Sequence, residues 1–99
     1  MAPRLQLHSL LVEITAYVYF QPPSNLKLQY PCIIYERDSA TSAFADNGPY
    51  RYTKRYTVTV IDRDPDSALP DKIAALPLAT HTQFFAANDL NHDVFNLYF

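Results

Sequence analysis

The sequence predicts an α+β fold: a mainly antiparallel sheet of four to five strands with two helices packed on one face. Three observations lead there. Residues 50–60 alternate with period two, placing Tyr50, Tyr52, Tyr56, Val58 and Val60 on one face and Arg51, Thr53, Arg55, Thr57 and Thr59 on the other. Two segments, at residues 4–16 and around Leu69, Ile73 and Leu76, space their apolar residues by three and four, as helices do. Most connections read as hairpins, with turn residues at Asn47-Gly48-Pro49 and Asn88-Asp89.

The first helix is expected over residues 4–16, with Leu7, Leu10, Leu11 and Ile14 on one face and Pro3 at its opening turn. Residues 17–20 form a short β-prone run closed by Pro22-Pro23. Residues 30–37 predict a second strand. Its apolar residues fall on both faces (Cys32 and Ile34; Ile33 and Tyr35), which points to a central position. Residues 38–49 are polar and small, and predict a loop that links two antiparallel strands as a projecting hairpin.

The long strand follows, rich in β-branched and aromatic residues that suit a pleated surface. Lys54 breaks its apolar face and is expected at the sheet margin, where its amine reaches water. The strand breaks at Asp62-Arg63-Asp64-Pro65-Asp66-Ser67. Pro65 holds Asp64 extended, and Asp66 or Ser67 can cap the next helix. Pro70 and Asp71 suit its first turn, and Pro77 ends it. Two strands remain, residues 80–87 and 92–99, with Phe95, Leu97 and Phe99 on the core face of the last.

At 99 residues the chain predicts one domain, residues 1–99, without internal repeats. A domain this small buries only about 60–65% of its unfolded surface, so a lone protomer is marginal. Eight tyrosines suit surfaces that are partly buried and partly wet, including interfaces. Eight basic residues against ten acidic ones give a net charge of −2, not the cationic excess that holds nucleic acid by its phosphates. Cys32 is the sole cysteine, which excludes an intrachain disulfide, and it sits in an apolar strand run. No secretory signal or membrane span is evident, so an intracellular product without membrane contact is expected.

Catalytic, metal and cofactor chemistry find little support. Asp62, Asp64 and Asp66 are spaced like the start of a calcium loop, but Ser67 replaces the sharp-turn glycine and Ile73 the closing glutamate. A strand-to-helix turn explains them better. His8, His81 and His92 lack close ligand partners. There is no nucleophile elbow, and a single glycine, Gly48, excludes a glycine-rich phosphate loop. Arg51, Lys54 and Arg55 stand among tyrosines, yet Arg51 and Arg55 face away from them, unlike a stacking platform. These cations suit a solvated face or a contact with acidic residues of another subunit. No enzymatic activity is expected.

Several segments in order resemble a family of small tail proteins from long-tailed bacteriophages and prophages. They are VYFQPP (18–23), LQYPCIIYERD (28–38), DNGPYRYTKRYTVTVIDRDPDSALPDKIAALP (46–77) and NDLNHDVFNLYF (88–99), together about four fifths of the chain. The family is similar to tail terminator, or tail-completion, proteins. That resemblance implies a hexameric ring on the head-proximal end of the tail tube, which stops tube growth and presents the head-joining surface. It implies as partners the chain itself, the tail tube protein and a head-completion or connector protein, with DNA only passing through the lumen. It places the chain in the virion, after assembly in the host cytoplasm. Small head-side joining proteins share the size and composition, and a small nucleic-acid module is the third alternative. For a ring of this kind, Arg51 and Arg55 are the expected subunit-interface partners of Asp62, Asp64 and Asp66. The 38–49 loop, with Asp38, Phe44, Asp46 and Asn47, is the expected contact with tube or lumen.

Overall fold

The alternating run becomes β3 (Gly48–Asp62), the strand around which the sheet is built. The remaining elements are α1 (Arg4–Val12), β1 (Val18–Phe20), β2 (Cys32–Ala45), α2 (Leu69–Ala74), β4 (Ala79–Ala87) and β5 (Leu90–Tyr98). This computed structural model describes residues 4–45, 48–64 and 66–99, and describes side chains outside 39–53. The five strands form one sheet in the order β1-β2-β3-β5-β4. β1 runs parallel to β2, and every other neighbouring pair is antiparallel. The fold is the expected α+β class, a mainly antiparallel five-stranded sheet whose one parallel pair is β1 with β2.

Both helices bury their apolar residues in the same cluster on one sheet face. Leu7 and Leu11 of α1 and Ile73 of α2 meet Ile33, Tyr35, Tyr56, Val58, Val60, Phe95 and Leu97. Register explains the cluster: Ile33 lies opposite Val60, Tyr35 opposite Val58, Val58 opposite Phe95, and Tyr56 opposite Leu97. Each removes its side chain from water, worth about 1.5–3 kcal/mol for a residue of this size. Phe99, the third residue expected on this face, packs partly buried against the cluster. On the opposite face Cys32 and Ile61 are also buried and paired, so β2 is flanked by strands and covered on both sides, as its two apolar faces predict.

Tyr35 has no exposed surface, and its hydroxyl is satisfied inside the protein. Arg4 donates to it at 3.0 Å, leaving the O–H to donate to Nδ1 of His8, 2.8 Å away. The Arg4 guanidinium also lies 4.3 Å from the centre of the Phe20 ring. These contacts pin α1 to β1 and β2.

Several boundaries differ from expectation. α1 ends at Val12 rather than at residue 16: after Leu10 and Leu11 come β-branched Val12, Ile14 and Thr15, and the Ile14 N–H bonds three residues back to Leu11 at 2.9 Å. Leu10 is on the exposed side of α1 instead of in the core. The N-cap position of α2 is Ala68, without a side-chain cap bond, and Ser67 one residue before it accepts the first helical N–H, that of Leu69, on Oγ at 3.2 Å. Asn88 and Asp89 both have positive φ, 54° and 61°, the geometry of a tight two-residue hairpin turn. The largest difference lies at residues 38–45 and 48–49, which are strand and not loop, although they join β2 to β3 as the projecting hairpin that was expected. β2 continues to Ala45 and β3 begins at Gly48. No glycine or proline interrupts residues 38–45, and pairing with the alternating β3 extends them despite modest strand propensity.

Candidate functional site

β2 and β3 outrun the sheet to which they belong. β5 stops where Tyr98 meets Arg55, and the Phe99 N–H donates to the Lys54 carbonyl at 3.0 Å. β1 reaches only Tyr35 of β2. Beyond these levels, among the described residues, β2 and β3 pair with each other alone, from Ala40 opposite Lys54 to Ala45 opposite Gly48. The result is a two-stranded arm. Its six cross-strand levels span about 20 Å at ~3.3 Å per residue, in a molecule whose longest dimension is 52 Å. Lys54 sits where the arm leaves the sheet, the margin position its sequence predicts.

The arm's root is a β-bulge at Asp38. Arg37 pairs with Tyr56 and Ser39 with Arg55, so Asp38 is the extra residue. A bulge bends its strand and increases local twist, so this one sets the direction in which the arm leaves. The Asp38 carboxylate holds the bend: Oδ1 accepts from Arg55 Nε at 2.8 Å and Oδ2 from Thr57 Oγ1 at 2.7 Å. Partial burial pushes this carboxyl up, but the bonds from Arg55 and Thr57 and the Arg55 charge outweigh it and hold it below its ordinary value. Asp38 and Tyr98 together hold the Arg55 guanidinium above its own.

The expected interface residues are therefore distributed as follows. Arg55 is engaged within its own chain by Asp38. Asp62, Asp64 and Asp66 lie at the far end of β3, seven or more residues from Arg55, or about 23 Å. Asp62 Oδ1 accepts the Asp64 N–H at 3.0 Å, Asp64 Oδ1 accepts the Asp66 N–H at 2.9 Å, and Asn91 Nδ2 donates to the Asp62 carbonyl at 3.3 Å. The first two carboxylates thus shape the turn, as its strand-to-helix reading predicts, while Asp66 points into solvent. An Arg55–Asp66 contact requires two copies of the chain. Phe44 has its backbone near the arm tip, opposite Pro49. Its side chain, that of Arg51, and Asp46 and Asn47 entirely, lie outside the described residues.

Other concave features are modest. An apolar cleft of about 200 Å³ lies between α1 and the α2–β4 junction, lined by Leu10, Leu76, Leu78 and Phe99. Leu78 has φ 63° and is 69% exposed at its rim. A groove of about 320 Å³ separates Pro22, Pro23 and Leu26 from Ile34 and Thr59. Among the described residues, no group of three His, Cys, Asp or Glu side chains is placed to share a metal ion. Burial raises the Cys32 thiol to about 11, which keeps it protonated and unreactive. His81 Nε2 lies 3.0 Å from Asp93 Oδ1, and His92 stacks on Phe85 with ring centres 4.5 Å apart.

Sequence reasoning missed the Asp38 bulge, because an extra residue in one strand shows only when its partner's register is known. It also missed the Tyr35–His8–Arg4 node, whose members lie 27 and 31 residues apart in sequence. No protein-family model matches this chain, and no curated protein matches it. Among the described residues no helix is long and apolar enough to cross a membrane.

Proposed function

We propose that the chain is a structural subunit of a long-tailed phage or prophage. In this reading it forms a ring, hexameric by its family resemblance, that caps the head-proximal end of the tail tube. The ring ends tube polymerisation and presents the surface that joins the head. The tube protein and a head-completion protein are its partners, and DNA passes through the lumen. The protein acts by shape and contact, without catalysis.

One structural observation supports an assembly role above others: the arm. A two-stranded ribbon is marginally stable in water, since it lacks a third strand or a packed helix. A protein that extends one beyond its core has a use for it outside the protomer. The ordered sequence segments quoted above supply the particular assembly. The acidic turn at one end of β3 and the cations on the arm side at the other support contacts between unlike surfaces, the kind that close into rings.

The test is disruption of this gene in its parent prophage, with the particles imaged after induction. Overlong tails of variable length, without heads, are expected. Tails of normal length beside separate DNA-filled heads would overturn the terminator assignment and move the protein to the head side of the joint.

A further inference from the structure

Among the described residues, two sheet margins are both unpaired and unguarded, and they lie on opposite sides of the sheet. β4 is an outer strand whose partner is β5. Its nine residues, ATHTQFFAA, include no charge and no proline. Phe84 is 55% exposed and Phe85 38%. Natural sheets guard such edges with charges, prolines, bulges or short strands. β4 has a bulge at Thr82, whose hydroxyl donates to the Val94 carbonyl at 3.0 Å. Residues 83–87 beyond it are regular and unguarded.

The second bare edge is the outer margin of β2 along the arm. Between the Asp38 bulge and the register shift after Ala43 lie residues 39–43, Ser-Ala-Thr-Ser-Ala, again without charge or proline. The arm's other strand is different in kind. Its sequence carries Pro49, Arg51 and Lys54, the residues that discourage pairing.

We propose that residues 39–43 of one copy add as a strand to residues 83–87 of the next copy, continuing the sheet from subunit to subunit. The proposal rests on the ring reading and names its joint. Three arguments select a second copy as the occupant. The two unguarded runs are of equal length, and each supplies the backbone donors and acceptors the other lacks. They lie on opposite margins of one sheet, so each contact leaves a free edge of each kind for the next subunit, which generates a ring or filament rather than a dimer. Strand directions also agree. β2 opposes β3, β3 opposes β5 and β5 opposes β4, so a neighbour that continues the sheet presents its β2 antiparallel to β4. Antiparallel pairing gives the better-aligned bonds. In the register that pairs the two runs end to end, Thr41 is opposite Phe85 and Ser42 opposite Phe84.

The test places cysteines across the joint. In a Cys32→Ala background, Ser42→Cys and Phe84→Cys are combined in one chain and oxidised. Directly opposite residues in an antiparallel pair bring their Cβ atoms within about 5 Å, close to disulfide reach. A covalent ladder ending at a closed ring is expected, and the off-register pair Ser39→Cys with Phe84→Cys should give none. Separately, Gln83→Lys and Ser42→Lys, each in the otherwise unaltered chain, should weaken association at least tenfold by sedimentation, with unchanged far-ultraviolet dichroism and Tm. A ring that both lysine variants leave intact, and that gives no ladder, overturns this joint while the ring itself stands. A chain that sediments as a monomer at every concentration, alone and with tail tubes, overturns both.

Discussion

The five-stranded body and the two-stranded arm share the same two strands, β2 and β3, yet obey different rules. In the body each of these strands has neighbours on both sides and helices on one face, and Tyr35, Val58 and Val60 have no more than 1% of their surface exposed. In the arm, among the described residues, the same strands pair only with each other. The contrast shows that strand length here exceeds what the fold needs. The body is stabilised by burial within the protomer. The arm's stability depends on what it touches.

Substitutions at the two regions should therefore separate cleanly. The largest loss of stability is expected from Phe95→Ala. Phe95 is 1% exposed in the core, edge-on to His81 with ring centres 5.0 Å apart. Its truncation should cost roughly 3–5 kcal/mol in denaturant unfolding. A loss near 1 kcal/mol would show that the body is not organised around this cluster. Tyr35→Phe should cost less, about 1–2 kcal/mol, because it removes a buried hydroxyl and strands the His8 and Arg4 groups that meet it. Equal stability with and without the hydroxyl would break the account of how α1 is pinned.

Replacing residues 41–53 by an Asn-Gly turn, which keeps Ala40 opposite Lys54, should change unfolding free energy by less than about 1 kcal/mol, since surface changes away from core and caps have small effects. The same shortened chain should fail to cap tubes, as measured by tail length in a complementation assay. A strongly destabilised body would mean that the arm is part of the core. Restored tail length would mean that the arm is not an assembly element.

The smallest effect is expected at the arm's root. Asp38 is held below its ordinary value, so it binds fewer protons when folded than when unfolded at mildly acidic pH. Its stabilising contribution is fully present above the unfolded carboxylate pKa, about 3.9, and is lost as pH falls through the lower folded value. Wild type and Asp38→Asn should therefore differ slightly at neutral pH and converge in strong acid, seen in acid unfolding curves. A difference that persists to the lowest pH would remove the carboxylate from the explanation.

The body was largely legible in the sequence, and the arm was not. Period-two alternation through Tyr56, Val58 and Val60 named the buried face of β3, and the two-sided run at Cys32–Tyr35 gave β2 its central place. Asn88-Asp89 gave the tight hairpin, and Ser67 the acceptor for the first helical N–H of α2. These features are local and repeat with the period of their element. Residues 38–45 read as a loop because serine, alanine and threonine have little strand preference of their own; pairing with β3 decides their state. The candidate site shared that fate. Asp38 and Arg55 were each singled out, as tube contact and subunit contact, but their mutual bond depends on a one-residue register shift. The limit of Leu10 has the same cause: spacing placed it on the apolar face of α1, while the width of the contact with the sheet admitted only Leu7 and Leu11 fully.

Amide hydrogen exchange, residue by residue, tests the central claim most directly. It would be measured on dilute monomer and on the assembled protein. Body amides in β3 and β5 near Val58 and Phe95 should be protected in both. Arm amides at residues 39–45 and 48–53 should exchange rapidly in the monomer and become protected on assembly. Arm amides as protected as the body in the monomer, or unprotected in the assembly, would contradict the view that the arm is completed by another subunit.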